Sequence, residues 1–134
     1  MLKSLSSSWF LLGMPVLLVC PSALALPAIA GIDDPFHKIT FDLSQLSPDG
    51  LVGSGTGRRS LNYEFCIPAT EMAVSEIQAI DPRMQIYRNS RGRIGCDRAQ
   101  YLSIGNTHHS QWRSILNQIV QLDYVERIDQ SFAE

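Results

Sequence analysis

The sequence predicts an α+β fold, and three observations lead to it. Short segments from Leu61 onward alternate apolar and polar residues, as half-buried strands do. Two longer segments repeat their apolar residues at helical spacing. Their order is strand, helix, strand, strand, helix, strand, which is typical of the ferredoxin-like βαββαβ core with two helices on one face of an antiparallel sheet. We place this core in residues 60–134, after an arm, a short strand and a glycine-rich loop in residues 26–59.

The first 25 residues have the features of a secretory signal peptide. Lys3 is the only charged residue before Asp33, and an apolar run covers residues 9–19. Small residues at Ala23 and Ala25 favour cleavage after Ala25. No later segment approaches the roughly 20 apolar residues of a transmembrane helix, so we expect no membrane span after cleavage. The alternative is an N-terminal anchor that stays uncleaved.

Cleavage would remove 25 of the 134 residues and leave 109, enough for one small domain with a modest core. Lys3 leaves with the signal, so 10 basic residues face 13 acidic ones, a net charge of −3. This charge argues against nucleic acid as the partner, because nucleic-acid-binding domains usually have a strongly basic surface.

Two cysteines, Cys66 and Cys96, remain after cleavage removes Cys20. An exported chain with one pair of cysteines predicts a disulfide between them. The bridge also fits the predicted topology, because Cys66 ends the first core strand and Cys96 precedes the antiparallel third strand. Cys66 is out of phase with the core residues of its strand, whereas Cys96 is in phase with Leu102, which is predicted to face inward together with Ile104. A bulge or irregular residues before Arg98 must absorb this mismatch, or the predicted register is wrong. The alternative is two free buried thiols.

Two segments precede the core. Residues 37–43 alternate apolar and polar side chains, which predicts a short strand. Residues 44–60 follow as a glycine-rich loop. Residues 53–57 superficially resemble a phosphate-binding loop, but the Lys-Ser/Thr pair and the strand-turn-helix context of such a loop are missing.

The first half of the core contains the clearest predicted strand, residues 61–67. Pro68 ends it and suits the first turn of a helix. That helix is predicted over residues 69–80, and Asp81-Pro82 ends it. Its helical spacing places six residues near one face: Ala69, Met72, Ala73, Glu76, Ile77 and Ile80.

The second half begins with a short strand over residues 84–88 and a glycine-containing connection, 89–97. A strand over 98–105 follows, and Thr107 and Ser110 are candidate N-caps for the next helix. That helix, which ends near Leu122, has the most regular apolar spacing: Trp112, Ile115, Leu116, Ile119 and Val120. We expect a last strand over 124–128 and a frayed tail over 129–134.

Four arginines lie within 11 residues, and Asp97 is the only acidic residue of that segment. Guanidinium groups bind carboxylates and phosphates through two parallel hydrogen bonds. The cluster therefore predicts a site for an anionic ligand or for the acidic surface of a protein partner. The alternative is a solvated hairpin tip that the disulfide holds. The four residues are Arg88, Arg91, Arg93 and Arg98.

His108 and His109 lie where the last predicted helix begins. Helix N-termini attract anions, so both histidines are added to the candidate binding residues. The alternative is a helix cap with exposed imidazoles. Adjacent histidines point in different directions, and no Cys-x-x-Cys or His-Glu-x-x-His pattern is present, so we predict no metal site and no cofactor.

Catalysis would need a carboxylate with a second titratable group beside it. Glu64 lies on the outer face of its predicted strand, and His108 is a candidate partner because residues of the third strand pair with those of the first. No G-x-S-x-G motif is present. A non-enzymatic binding or accessory module is therefore favoured, and enzymatic activity stays open. The alternatives are a small hydrolase that uses Glu64 and His108, or a purely structural helper of an assembly.

Three motifs together carry a resemblance: YEFCIPA at 63–69, SRGRIGC at 90–96 and GNTH at 105–108. The chain resembles a group of small exported cyanobacterial proteins of unassigned function over residues 41–128. The resemblance implies a location in the periplasm or, in a photosynthetic cell, in the thylakoid lumen, with secretion from the cell as a further possibility. It supplies no catalytic residue.

Overall fold

The computed structural model describes residues 34–132, together with Gly13 and Pro15. The predicted signal peptide and its cleavage site, and residues 26–33 of the predicted arm, otherwise lie outside the described residues. Within the part of the chain that is described, no helix has the length and hydrophobicity needed to cross a membrane.

Two antiparallel sheets and two α-helices confirm the predicted α+β class. The larger sheet has the strand order β4-β5-β3-β6, and the smaller sheet pairs β1 with β2. Each pairing between neighbouring strands is antiparallel. In chain order the elements are β1 (Leu51–Val52), β2 (Arg59–Ser60), β3 (Asn62–Pro68), α1 (Glu71–Ile80), β4 (Gln85–Tyr87), β5 (Gln100–Asn106), α2 (Trp112–Val120) and β6 (Asp129–Ser131).

The centre of the larger sheet is the seven-residue ladder between β3 and β5. Tyr63, Phe65 and Ile67 alternate along β3 and are buried in one cluster with apolar residues of both helices. Gly105 lies opposite Tyr63, and a Cβ atom there would come within 2.4 Å of the Tyr63 ring. The tyrosine ring therefore occupies the space that a side chain at position 105 would need.

Helix α1 begins after Thr70, whose hydroxyl accepts a hydrogen bond from the Ala73 amide at 3.2 Å. Its buried face consists of Ala73, Val74 and Ile77. The predicted grouping on one face is wrong for Met72 and Glu76, because both side chains are exposed, Met72 by 81%. The stripe centred on Ile77 turns Met72 toward solvent.

Helix α2 buries all five apolar residues that its spacing predicted. Its N-cap is Gln111, which makes no side-chain capping bond, so the predicted caps at Thr107 and Ser110 are wrong. Thr107 is instead fully buried. Its hydroxyl donates to the Gly50 carbonyl at 2.7 Å and accepts from the Leu61 amide at 2.9 Å. Thr107 thus joins the glycine-rich loop to the start of the core.

The predicted strand over 37–43 is also wrong. Asp34 and Asp42 each accept a hydrogen bond from a backbone amide two residues later, which begins a 3-10 turn. The turns cover Pro35–Lys38 and Leu43–Gln45. Only Ile39 makes a bridge, parallel to Ile128. Local capping by aspartate here outweighs the alternating pattern.

The last strand forms later than predicted. Residues 124–128 are not a strand, whereas β6 pairs with the first three residues of β3 in the segment that was expected to fray. Thr40 fixes the entry to β6, since its amide and hydroxyl donate to the Ile128 carbonyl at 3.0 and 3.3 Å. Residues 133–134 of the predicted tail lie outside the described residues.

Asp81 at the end of α1 makes stability depend on pH. Its side chain is only 3% exposed. Burial alone would raise the pKa of this carboxyl, but hydrogen bonds from the Arg83 side chain and amide outweigh it and hold the pKa below 3.8. Asp81 therefore stabilises the fold above about pH 4, and this contribution is lost as the pH falls through the lowered pKa.

We expect Asp81→Asn to lower the free energy of unfolding by about 1–2 kcal/mol at neutral pH. The difference from the wild-type protein should shrink as the pH is lowered from about 6 to about 3. Urea unfolding across this range measures both quantities, with the exposed Asp123→Asn as the control. A difference that grew toward low pH would contradict the account.

Candidate functional site

A disulfide connects β3 to the segment that precedes β5. The Cα atoms of Cys66 and Cys96 are 5.5 Å apart, and the predicted bridge is confirmed. Cys96 lies four residues before β5, in irregular backbone. Leu102 pairs with Cys66 and Ile104 pairs with Glu64, so both lie on the sheet face opposite the helices, and the prediction that they face inward is wrong. The expected difference in phase between the two cysteines therefore does not arise.

The bridged segment, residues 88–99, is called the arginine loop below. It packs on Glu64 and Leu102 on the sheet face opposite the helices. Glu64 is only 2% exposed, and its Oε1 accepts a hydrogen bond from the Ile94 amide at 2.7 Å. Gly92 has a φ of 62°, and a Cβ atom there would lie 2.7 Å from Leu102 Cδ1 and 3.1 Å from Glu64 Oε2. Glycine is therefore required at position 92 both for its backbone conformation and for the close approach.

The arginine loop also has internal hydrogen bonds. The Arg91 carbonyl accepts from the amides of Gly95 and Cys96 at 3.1 and 2.8 Å. The Arg91 Nε donates in return to the Cys96 carbonyl at 3.0 Å. Outside the loop, Arg127 Nη2 donates to the Ile94 carbonyl at 3.3 Å. The backbone near Cys96 is thus fixed by several contacts besides the bridge.

Three of the four predicted arginines line one surface depression of about 240 Å³. Arg88 forms a two-point pair with Glu71 on α1, and its guanidinium lies 4.9 Å from the centre of the Tyr101 ring. The hydrogen bond with Glu71 raises the pKa of Arg88, and the same bond lowers that of Glu71. The lining residues are Arg88, Asn89, Ser90, Arg91, Asp97, Arg98 and Gln100.

The three guanidinium groups differ in how far they are already engaged. Glu71 neutralises Arg88, whereas Arg91, among the described residues, donates a side-chain hydrogen bond from its Nε to the loop backbone. Arg98 is exposed and makes no hydrogen bond or ion pair among the described residues. The acidic lining residue, Asp97, accepts from the Ala99 amide at 2.8 Å. Arg91 and Arg98 therefore have donors available for an anion.

The other predicted binding residues lie elsewhere. Arg93 has interactions of its own and does not line the depression. His108 and His109 follow the far end of β5, about 20 Å along the strand from Gln100. The His108 carbonyl accepts from Arg83, and His109 Nδ1 accepts from the Gln111 amide. The structure therefore does not bring the histidines together with the arginine depression.

Glu64 and His108, the residues of the alternative hydrolase, are not brought together either. Glu64 is enclosed beneath the arginine loop, where Ile94 already binds its carboxylate. His108 is exposed in the turn between β5 and α2, with its amide bonded to Asn106 Oδ1. Among the described residues, no group of three or more Cys, His, Asp or Glu side chains is arranged to hold a metal.

Sequence reasoning missed two features of this site. The alternation of β3 placed Glu64 on an exposed face, and no sequence pattern indicated that a later loop would cover it. The Glu71–Arg88 pair joins residues 17 positions apart on different elements. The acidic residue in the first turn of α1 was visible in the sequence, but its partner follows only from the tertiary fold.

Comparison of this chain with models of protein families, with curated proteins and with solved structures finds no match.

A side chain at position 92 would have two effects, a clash with the sheet and backbone strain, and a comparison with position 95 separates them. Gly92 and Gly95 both have positive φ, but a Cβ atom at Gly95 has no neighbour within 4 Å. We expect Gly92→Ala to lower the free energy of unfolding more than Gly95→Ala does, each strained backbone costing about 1–3 kcal/mol. Gly92→Ala should also speed hydrogen exchange at the Ile94 amide. Equal effects of the two variants would mean that the loop does not pack tightly on the sheet.

Proposed function

We propose that this protein is an exported, non-enzymatic binding module that takes an anionic group in the depression lined by Arg88, Arg91 and Arg98. One observation carries the proposal: guanidinium groups from positions spread along the arginine loop line a single depression in a loop held by the disulfide. The anion belongs to a small ligand or to an acidic side chain of a partner protein.

The charges in the depression suit an anion with two or more acceptor oxygens. Glu71 and Tyr101 hold the Arg88 side chain in place, so that it forms one fixed side of the depression. Arg91 and Arg98 supply the donors, since guanidinium groups bind carboxylate or phosphate in a bidentate manner. Asp97 opposes an anion electrostatically, but its engagement by the Ala99 amide favours an orientation toward the backbone.

The fold that we propose is the ferredoxin-like arrangement. Its support is the strand order, in which the first and third core strands, β3 and β5, are central neighbours. Helix α1 connects β3 to β4, α2 connects β5 to β6, and residues of both helices share one core with β3. β1 and β2 precede this core as a separate two-stranded sheet.

Export to the periplasm or the thylakoid lumen of a cyanobacterium is part of the same proposal. Its support is the signal-like N-terminus of the sequence and the Cys66–Cys96 disulfide, since such bridges persist in oxidising compartments. Purification of the native protein from fractionated cells, followed by intact mass measurement, tests the location. A mass that includes residues 1–25 would contradict cleavage.

Titration of the oxidised protein with inorganic phosphate, followed by NMR of the backbone amides and arginine side chains, tests the anion site. We expect saturable shifts at residues 89–98 and weaker binding at high salt. The double variant Arg91→Gln/Arg98→Gln should weaken phosphate binding roughly tenfold or more, because each charged hydrogen bond contributes about 1.5–3 kcal/mol.

The matched control is Arg59→Gln/Arg113→Gln, which removes the same charge from exposed arginines outside the depression. Phosphate affinity should stay within about twofold of wild type in this control. If both double variants lowered the affinity equally, phosphate would be responding to net charge and the depression would not be a site.

A further inference from the structure

A second pocket lies next to the disulfide and shares one lining residue, Gln100, with the arginine depression. Its volume is about 140 Å³. Cys66 lines the pocket and Cys96 does not. Cys66 is partly exposed, whereas Cys96 is 0% exposed. The two halves of the bridge therefore differ in their access to solvent. The remaining lining residues are Ile94, Gly95, Tyr124, Glu126 and Arg127.

Unequal access gives the bridge a direction of reaction. Thiol–disulfide exchange begins with a thiolate that attacks one sulfur while the other sulfur leaves, and access decides which sulfur is attacked. We propose that the Cys66–Cys96 bridge is an exchange site for a dithiol, that attack occurs at Cys66 through this pocket, and that opening of the bridge releases the arginine loop from the sheet.

The reaction balances as a two-electron reduction. The first thiolate of the dithiol bonds to Cys66 Sγ, the Cys66–Cys96 bond breaks, and Cys96 leaves as a thiolate and takes up a proton. The second thiolate of the dithiol then attacks the first dithiol sulfur, which is bonded to Cys66 in the mixed disulfide. Cys66 leaves as a thiolate and also takes up a proton. The bridge gains two electrons and two protons, and the dithiol becomes a disulfide.

Opening of the bridge should act on the arginine loop and not on the whole fold. The β3–β5 ladder has seven residue pairs, and their backbone pairing does not require the disulfide bond. Beyond the bridge, Ile94 is held by its hydrogen bond to Glu64 and by the weaker bond from Arg127, and Arg93 has interactions of its own. These contacts are individually weaker than the covalent bridge, so loss of the bridge should loosen the loop first. Reduction should have two effects. The expected loss of phosphate affinity rests on the proposed function, whereas the expected release of the loop does not.

The site of attack is tested on the oxidised full chain, with glutathione as the thiol under native conditions. Iodoacetamide traps the leaving thiol, and peptide mass mapping identifies each modified cysteine. We expect glutathione on Cys66 and the alkyl group on Cys96. The reverse pattern, or no reaction until urea is added, would overturn the proposal.

The route through the pocket is tested with Glu126→Trp, which adds a large side chain at the pocket wall. Dithiothreitol should reduce this variant at least tenfold more slowly than the wild-type protein. Gln121→Trp places the same residue at an exposed position outside the pocket and should change the rate less than twofold. An unchanged rate in Glu126→Trp would exclude the pocket as the route.

Loop release is measured by amide hydrogen exchange before and after reduction. The Ile94 amide should exchange at least tenfold faster in the reduced protein, while the Phe65 amide in β3 stays protected. Equal loss of protection at both amides would make the bridge a support of the whole fold and would overturn the proposal.

Phosphate affinity, measured on the same samples, separates this inference from the proposed function. Phosphate binding that weakens at least fivefold on reduction supports control of the anion site. Binding that is the same in both states overturns that control. No phosphate binding by the oxidised protein overturns the proposed function and its control, while the results at Cys66 and Ile94 decide the exchange site independently.

Discussion

The contact between the arginine loop and the outer face of the sheet is the constraint on which the candidate site depends. Three features produce it: the bridge between Cys66 and Cys96, the absence of a side chain at Gly92, and the hydrogen bond from Ile94 to the buried Glu64. A buried carboxylate without a partner is costly, so this hydrogen bond favours the closed position of the loop. A loop of about this size without such contacts would sample many conformations, and its arginines would not share a surface.

The arginine depression follows from how the loop is closed. Arg88, the first arginine of the loop, pairs with Glu71 at the start of α1 and packs on the Tyr101 ring. One end of the loop is thereby held against the helix. The last residues of the loop lead into β5, one of the two central strands of the larger sheet. Between these ends, Arg91 and Arg98 have exposed donors, and the pocket beside the disulfide shares Gln100 with the depression that they line. The same few contacts therefore define both surfaces.

The sequence alone predicted the elements whose signals are local and periodic. The alternation in β3, the apolar stripe of α2 and the pairing of the two cysteines all correspond to what the structure contains. The N-terminal strand was wrong because Asp34 and Asp42 cap tight turns within an alternating pattern. β6 was placed too early because its position depends on Thr40 and Ile39, which are distant in sequence. The burial of Glu64 and the separation of the histidines from the arginines depend on tertiary packing, which periodicity does not encode.

Anomalous diffraction from crystals of the oxidised protein grown with selenate tests the central claim most directly. Selenate has the shape and charge of sulfate, and selenium marks its position without reference to the protein. We expect an ordered anomalous peak at a selenate whose oxygens lie within hydrogen-bond distance of the guanidinium groups of both Arg91 and Arg98. Peaks only at other arginines, such as Arg59 or Arg113, would contradict this expectation, because the depression would then have no preference for an anion over an ordinary basic surface.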